Sequence, residues 1–287
     1  MTAHPTKARR IPPGLPWVLP AVLVLVALSI YPMIYSVKVS VTDATGALTL
    51  ANFTRLLQDR VFAVSALQTI ALTAVALSIE FILGMALALL IDSLARARSL
   101  FRASLLVPML LPPVVAAVAW RLIYNPQFGA LNGTLRWLGL NTAALTWTSG
   151  EKSALPSVIL VDIWEWTPFL FLLLSAGLQA IPPEPIEAAR IDGAGAWRIF
   201  RDVTLPLLKP TILLALLLRA MDLVRIFDQI FILTQGGPGT ATETVSLYIY
   251  RTAFRFSNFG YAAAMSFVLL AATMLFSRGL MRIMRAR

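Results

Sequence analysis

Cysteine is absent from the 287 residues, and histidine occurs once, as His4. A disulfide framework and a cysteine metal site are thereby excluded. The lone histidine sits in a basic N-terminal tail, so histidine-based catalysis has no place to assemble. Charge is scarce as well: 13% of residues are charged, about half of what ordinary soluble domains carry. No G-x-x-x-x-G-K-[ST] phosphate loop occurs, so the chain has no nucleotide cradle of that kind. Gly193-Ala194-Gly195 touches the dinucleotide fingerprint, but its third glycine is missing and no strand precedes it.

The remainder is apolar. Hydrophobic residues make up 58% of the chain and mean hydropathy is +0.77. Six long apolar runs stand out, near 17–37, 62–91, 104–124, 155–180, 207–233 and 259–280. Each meets the length of about 20 residues that a helix needs to cross a bilayer. The fold class expected is therefore all-α: a polytopic membrane protein of six transmembrane helices in one domain over residues 17–287, preceded by a disordered tail over 1–16. The first run has a basic start like a secretory signal, but it is longer than a signal core and lacks a small-residue cleavage site. Pro108, Pro112 and Pro113 predict kinks in the third run. Gln235-Gly236-Gly237-Pro238-Gly239 is a turn signal, and a short helix outside the membrane is expected within 240–258.

The net charge of +10 is informative through its placement. Six spans put both termini on one side. That side, comprising the tail, the 2–3 connection, residues 182–206 with Lys209, and the C-terminus, holds 14 Lys and Arg against 7 on the other. The positive-inside rule makes it cytoplasmic. Nothing in the pattern calls for nucleic acid.

Residues 182–206 form a polar island between the fourth and fifth runs. Pro182, Pro183 and Pro185 stop one helix and can open the next. Glu187 is expected in the first turn, where negative charge suits a helix N-terminus. Gly193 allows a turn. Trp197 and Phe200 share a face of a second helical piece, which Leu205-Pro206 is expected to end. A short helix, a glycine break and a second helix make a docking knob.

Glu187-Ala188-Ala189, then Gly193, Val203 and Leu205-Pro206 at their fixed spacings resemble the EAA loop of ABC importer permeases, with Val203 where isoleucine is usual. Asp222, Phe227-Asp228, Ile230, Leu233-Thr234 and Gly236-Gly237-Pro238 are similar to the run after that loop in the maltose-type carbohydrate permeases. Asn125-Pro126, Gly129, Asn132, Trp164, Pro168-Phe169 and Gly260-Tyr261-Ala262 resemble the same group. The resemblance covers most of the chain from residue 31 to about 270. It implies a cytoplasmic coupling helix whose Glu187, Ala188, Ala189, Asp192, Gly193, Trp197, Leu205 and Pro206 meet an ATPase. It also implies an ATPase dimer that binds ATP and magnesium, a second permease subunit and an external solute-binding protein. This chain itself would bind no cofactor or metal and catalyse nothing.

The fifth run spaces Arg219, Asp222, Arg225 and Asp228 in threes with alternating sign. Residues three apart are helix neighbours, so each charge can pair with the next, or with a second subunit. The other reading is a polar strip along a solute path. Arg219, Asp222, Arg225 and Asp228 would then meet hydroxyl groups, and Phe227 and Phe231 would offer an apolar face to a sugar ring. Glu80, Asp162 and Glu165 have no catalytic companions and read better as buried partners for Arg121, Arg219 or Arg225. A neutral sugar or oligosaccharide is the expected solute. Guanidinium groups keep a phosphorylated polyol open as the alternative. A self-sufficient secondary transporter would use Glu80 and Asp162 as an ion relay but leaves the 182–206 pattern unexplained, and a lipid-modifying enzyme lacks a catalytic constellation.

Overall fold

A computed structural model describes residues 15–43, 45–92, 98–142 and 145–285. The tail expected over 1–16 lies outside them except for its last two residues, which begin the first helix; part of the polar turn after Asp92 also lies outside. Helices follow in the order α1 Leu15–Ser40, α2 Ala51–Gln58, α3 Arg60–Asp92, α4 Arg98–Leu106, α5 Pro113–Ile123, α6 Ala130–Trp137, α7 Ala154–Gln179, α8 Pro183–Ile191, α9 Ala196–Ile199, α10 Leu205–Leu223, α11 Asp228–Leu233, α12 Val245–Tyr250 and α13 Phe259–Arg285. Among the described residues the sole β-type pairing is an isolated bridge between Thr42 and Leu48.

Among the described residues five helical stretches are long and apolar enough to cross a membrane: Trp17–Ser40, Arg60–Ile91, Ala154–Gln179, Ala196–Leu223 and Phe259–Arg282. The third apolar run is a broken element rather than one long helix. α4 stops at Leu106, a 3₁₀ turn occupies Pro108–Leu110, and α5 restarts at Pro113. Each proline lacks the N–H an interior helical turn would use, and three in six positions leave no room for a continuous ladder. The fifth run breaks too, between Leu223 and Asp228.

α7 is the central element. Its buried face runs from Ala154 to Ser175 and meets α3 on one side and α10 on the other. Met85 and Ala88 of α3, Leu170, Phe171 and Leu174 of α7, and Leu208, Ile212 and Ala215 of α10 share one core. The contact is close because α3 carries Gly84, where an added Cβ would lie 3.0 Å from both Leu170 Cβ and the Phe171 backbone nitrogen. Gly84→Leu is expected to push α3 off α7 and cost about 1–3 kcal/mol, as overpacking does. A thermal unfolding midpoint in detergent equal to that of the parent would contradict this packing. α1 lies at the periphery against α13 and keeps its large apolar side chains exposed, a surface suited to hydrocarbon.

The end of the bundle opposite residues 182–206 is tied by polar contacts. Asp59 accepts from Tyr248 Oη at 2.7 Å and Tyr261 Oη at 2.5 Å, and caps α3 through the Val61 and Phe62 amides. Burial pushes the Asp59 carboxyl up, but those four donors outweigh it and hold it below its ordinary value. Arg251 donates to Glu243 at 2.5 Å and to the Gln235 carbonyl, fastening the turn at 235–239 to α12 and its π-helical continuation at Arg251–Arg255. Burial holds the Glu243 carboxyl above its ordinary value against the pull of Arg251. The short helix expected within 240–258 is α12.

Candidate functional site

A buried charge cluster joins three of the long helices. Arg219 of α10, 2% exposed, donates from Nε to Glu80 Oε2 at 2.8 Å and from Nη2 to Glu80 Oε1 at 3.0 Å. Nη2 also reaches Asp162 Oδ2 at 2.5 Å, and Nη1 reaches Asp222 Oδ2 at 2.7 Å. Glu80 on α3 and Asp162 on α7 are buried like Arg219 itself, whereas Asp222 is 52% exposed. The guanidinium lies over the Trp166 ring, 5.0 Å from its centroid. An unpaired charge among apolar helices is costly, and the planar fork of arginine can serve several carboxylates at once. Glu80 and Asp162 are thus partners of Arg219, as their lack of catalytic companions suggested. Glu165 instead accepts from Gln229 Nε2 at 2.7 Å.

The alternating ladder does not extend past its first rung. Arg219 pairs with Asp222, but α10 ends at Leu223, and Arg225 Nε turns back to the Met221 carbonyl at 3.0 Å. The spacing of three makes neighbours only while a helix continues. Arg225 and Asp228 are exposed instead. They rim a cleft of about 110 Å³ whose walls include Asp162, Trp166, Arg219, Asp222 and Gln229. Arg219 is committed to carboxylates, so the exposed groups at this cleft are Asp222, Arg225 and Asp228. Phe227 and Phe231 stack on each other with centroids 5.3 Å apart and both contact Tyr250. Gln229 and Tyr250 were not singled out from sequence. Gln229 sits beside Asp228 in an apolar run, and that setting was its only signal.

The knob at 182–206 protrudes from one end. Of the three candidate prolines it is Pro183 that opens α8, so Glu184 occupies the first turn and Glu187, expected there, lies a turn further in. Pro185 is tolerated because an N–H at its position would have no helical acceptor. α8 closes in a Schellman turn: the Ala194 amide donates to the Ala189 carbonyl at 2.9 Å and the Gly193 amide to Arg190 at 3.0 Å. Asp192 is the C-cap and Gly193 takes φ +77°, the left-handed conformation that closes such turns. Glu187, Ala188 and Ile191 share one exposed face, with Ala189 half-buried behind it. Ile191 is 87% exposed and Trp197 71%, and Trp197 leans on Phe200 at 5.7 Å. Leu205-Pro206 does not end the second piece: the chain stays helical from Ala196 to Leu223. A π turn at Phe200–Thr204, closed by the Leu205 amide on the Phe200 carbonyl, absorbs the proline, a common way for a helix to accommodate such a residue.

Several residues of the wider pattern do structural work. Asn132 is buried between the Pro126 carbonyl and Trp147 Nε1. Asn125 caps the following turn through the Gln127 and Phe128 amides. Gly260 lets α13 approach α1, since a Cβ there would stand 2.9 Å from the Val39 carbonyl oxygen.

Long helices with apolar outer faces, packed through apolar cores around one buried charge cluster, define a multi-pass membrane protein with a charged cleft inside and an exposed helical knob at one end. The chain belongs to the family of binding-protein-dependent transport system inner membrane components, which it matches over residues 80–287. It is 38% identical over 238 residues to the trehalose/maltose transport system permease protein MalF of Thermococcus litoralis, covering 83% of this chain and 80% of that one. It is 36% identical over 256 residues to the trehalose transport system permease protein SugA of Mycobacterium tuberculosis H37Rv, covering 87% and 81%. In fold it is similar to a chain of a bacterial alginate ABC transporter solved in complex with an alginate pentasaccharide-bound periplasmic protein. There the TM-score is 0.81 at 23% identity, over 92% of this chain and 91% of that one.

Proposed function

We propose that this chain is the permease subunit of an ATP-driven importer that moves a neutral sugar or oligosaccharide handed over by an external solute-binding protein. The observation that carries the reading is the exposed knob, with Ile191 and Trp197 bare to solvent at one end of a bundle. Apolar side chains held out on rigid helical turns beside small residues suit a partner's cleft. The knob end is cytoplasmic, as are both termini, by the excess of Lys and Arg on that side. ATP and its magnesium belong to a dimer of partner ATPase subunits, and a second permease completes the pore. Closure of the ATPase dimer carries the knob with it and tilts the helices as rigid bodies.

The charged cleft supports a neutral solute. Asp162, Asp222 and Asp228 line it together with Arg219 and Arg225, and Glu80 pairs with Arg219. A phosphate would meet more carboxylates than guanidiniums there. The test is the assembly reconstituted with its ATPase and binding protein, challenged with sugars and with glycerophosphodiesters. Sugars are expected to stimulate ATP hydrolysis. Stimulation by the phosphodiesters alone would replace this reading, and uptake by the isolated chain on an ion gradient would remove it.

A further inference from the structure

Gln229 is 2% exposed and lines the charged cleft, yet its Oε1 has no hydrogen-bond partner. Against an ionised Glu165 its orientation is set by chemistry. Nε2 donates to Glu165 Oε2 at 2.7 Å, and a flipped amide would set oxygen against a carboxylate oxygen. The unpartnered atom that α11 holds in the cleft wall is therefore a carbonyl acceptor rather than a donor, closed to solvent in this conformation. Leaving a buried acceptor unpaired is costly, and such an atom in a folded protein calls for a water or a ligand. Around the same cleft Asp222 uses only Oδ2 on Arg219, and Arg225 uses only Nε on a carbonyl. The cleft holds about 110 Å³, well under the roughly 300–1,000 Å³ of a pocket that encloses a whole ligand. It admits one edge of a sugar ring, with the rest in the open mouth.

We infer that Gln229 is a specificity-determining residue whose Oε1 accepts a hydrogen bond from one hydroxyl of the transported sugar, with Glu165 as the positioning residue that holds the amide in that sense. This rests on the sugar-importer reading above. The inference gives Gln229 the acceptor role and the exposed Asp222 and Arg225 the flanking polar contacts. It also gives a role to a glutamate and a glutamine buried together in an apolar bundle: Glu165 Oε2 orients the amide and the amide reads the solute, while Glu165 Oε1 stays unpartnered beside it.

The test is a thermodynamic cycle on the reconstituted assembly. Sugar-stimulated ATPase is measured for the parent and for Gln229→Met against the best sugar of the panel and its singly deoxygenated analogues. In the parent one deoxy position is expected to lower kcat/KM about ten-fold or more, the cost of leaving a buried acceptor unpaired. In Gln229→Met the parent sugar falls by a similar factor, and removing that same hydroxyl then costs nearly nothing. Glu165→Met, which releases the amide, is expected to weaken the discrimination at that one position while leaving the other deoxy positions unchanged. If Gln229→Met does not assemble, Gln229→Asn, with an amide one methylene shorter, goes through the same panel. Additive losses at every position would mean that a water serves Oε1 and would overturn the assignment while leaving the importer intact. A parent assembly that no sugar stimulates would bring down the importer's substrate class, and Gln229's role with it.

Discussion

Arg219→Met is expected to destabilise the protein by about 3–5 kcal/mol, the cost of breaking a buried ion cluster from one side. The substitution fills most of the same space, so lost packing contributes little. What remains is Glu80 and Asp162, buried on α3 and α7 with no countercharge, while Asp222 can turn to solvent. Two desolvated carboxylates facing each other in an apolar bundle cost more than the helix contacts around them can offset. Arg219→Lys keeps the charge but replaces a fork that donates four hydrogen bonds with a point charge, and should fall between. The sharper control removes the whole cluster. Combining Arg219→Met with Glu80→Gln and Asp162→Asn should recover much of the loss, because a cluster replaced in full carries no orphaned charge. Thermal unfolding of the purified protein in lipid nanodiscs reads all three. If Arg219→Met melted with the parent, or if the triple variant were worse than the single one, the cluster would not be what holds these helices in register.

The same cluster shows where sequence reading reaches and where it stops. That Glu80 and Asp162 seek a guanidinium follows from the cost of charge in an apolar helix, and Arg219, Arg225 and Arg121 were the available choices. Selecting Arg219 needs the relative rotation of α3, α7 and α10, which is set by packing at points such as Gly84 against Leu170 and Phe171. The break before α5 was legible because prolines forbid the ladder. The break at 224–227 was not, since Val224, Arg225, Ile226 and Phe227 include no proline or glycine. It comes from tertiary contacts, with Gln229 held by Glu165 and α11 seated on α5 and α7. The ladder of alternating charges assumed that missing turn. Likewise the helical opening at 182–185 could start at any of three prolines, and the start at Pro183 left Glu187 out of the first turn. Gly193, by contrast, was readable from its position alone, because few other residues close a helix in that way.

Gly193→Val should cut uptake by the assembled importer about 5- to 30-fold, the effect of 1–2 kcal/mol on a two-state equilibrium, while membrane insertion stays normal. The reason is conformational. Gly193 holds φ +77° with nothing within 4 Å of an added Cβ, so no clash is involved and the bundle is untouched. A left-handed backbone costs an L-residue about 1–2 kcal/mol, and β-branching at that φ adds to it. The chain escapes by opening the Schellman turn, which releases the Ala194 and Gly193 amides and swings Ile191 on α8 away from Trp197 on α9. A partner cleft shaped for both would then be met by one. Gly193→Asn is the discriminating companion, because asparagine visits the left-handed region readily; it should keep most of the uptake. Glu187→Lys leaves the turn intact and reverses charge on the exposed face of α8, so it should uncouple ATP hydrolysis from transport without loosening the fold. Should Gly193→Val transport and show sugar-stimulated ATPase at the parent rate, the knob would not be where force enters. If valine and asparagine were equally harmful, space rather than backbone conformation would be the property that matters at this position.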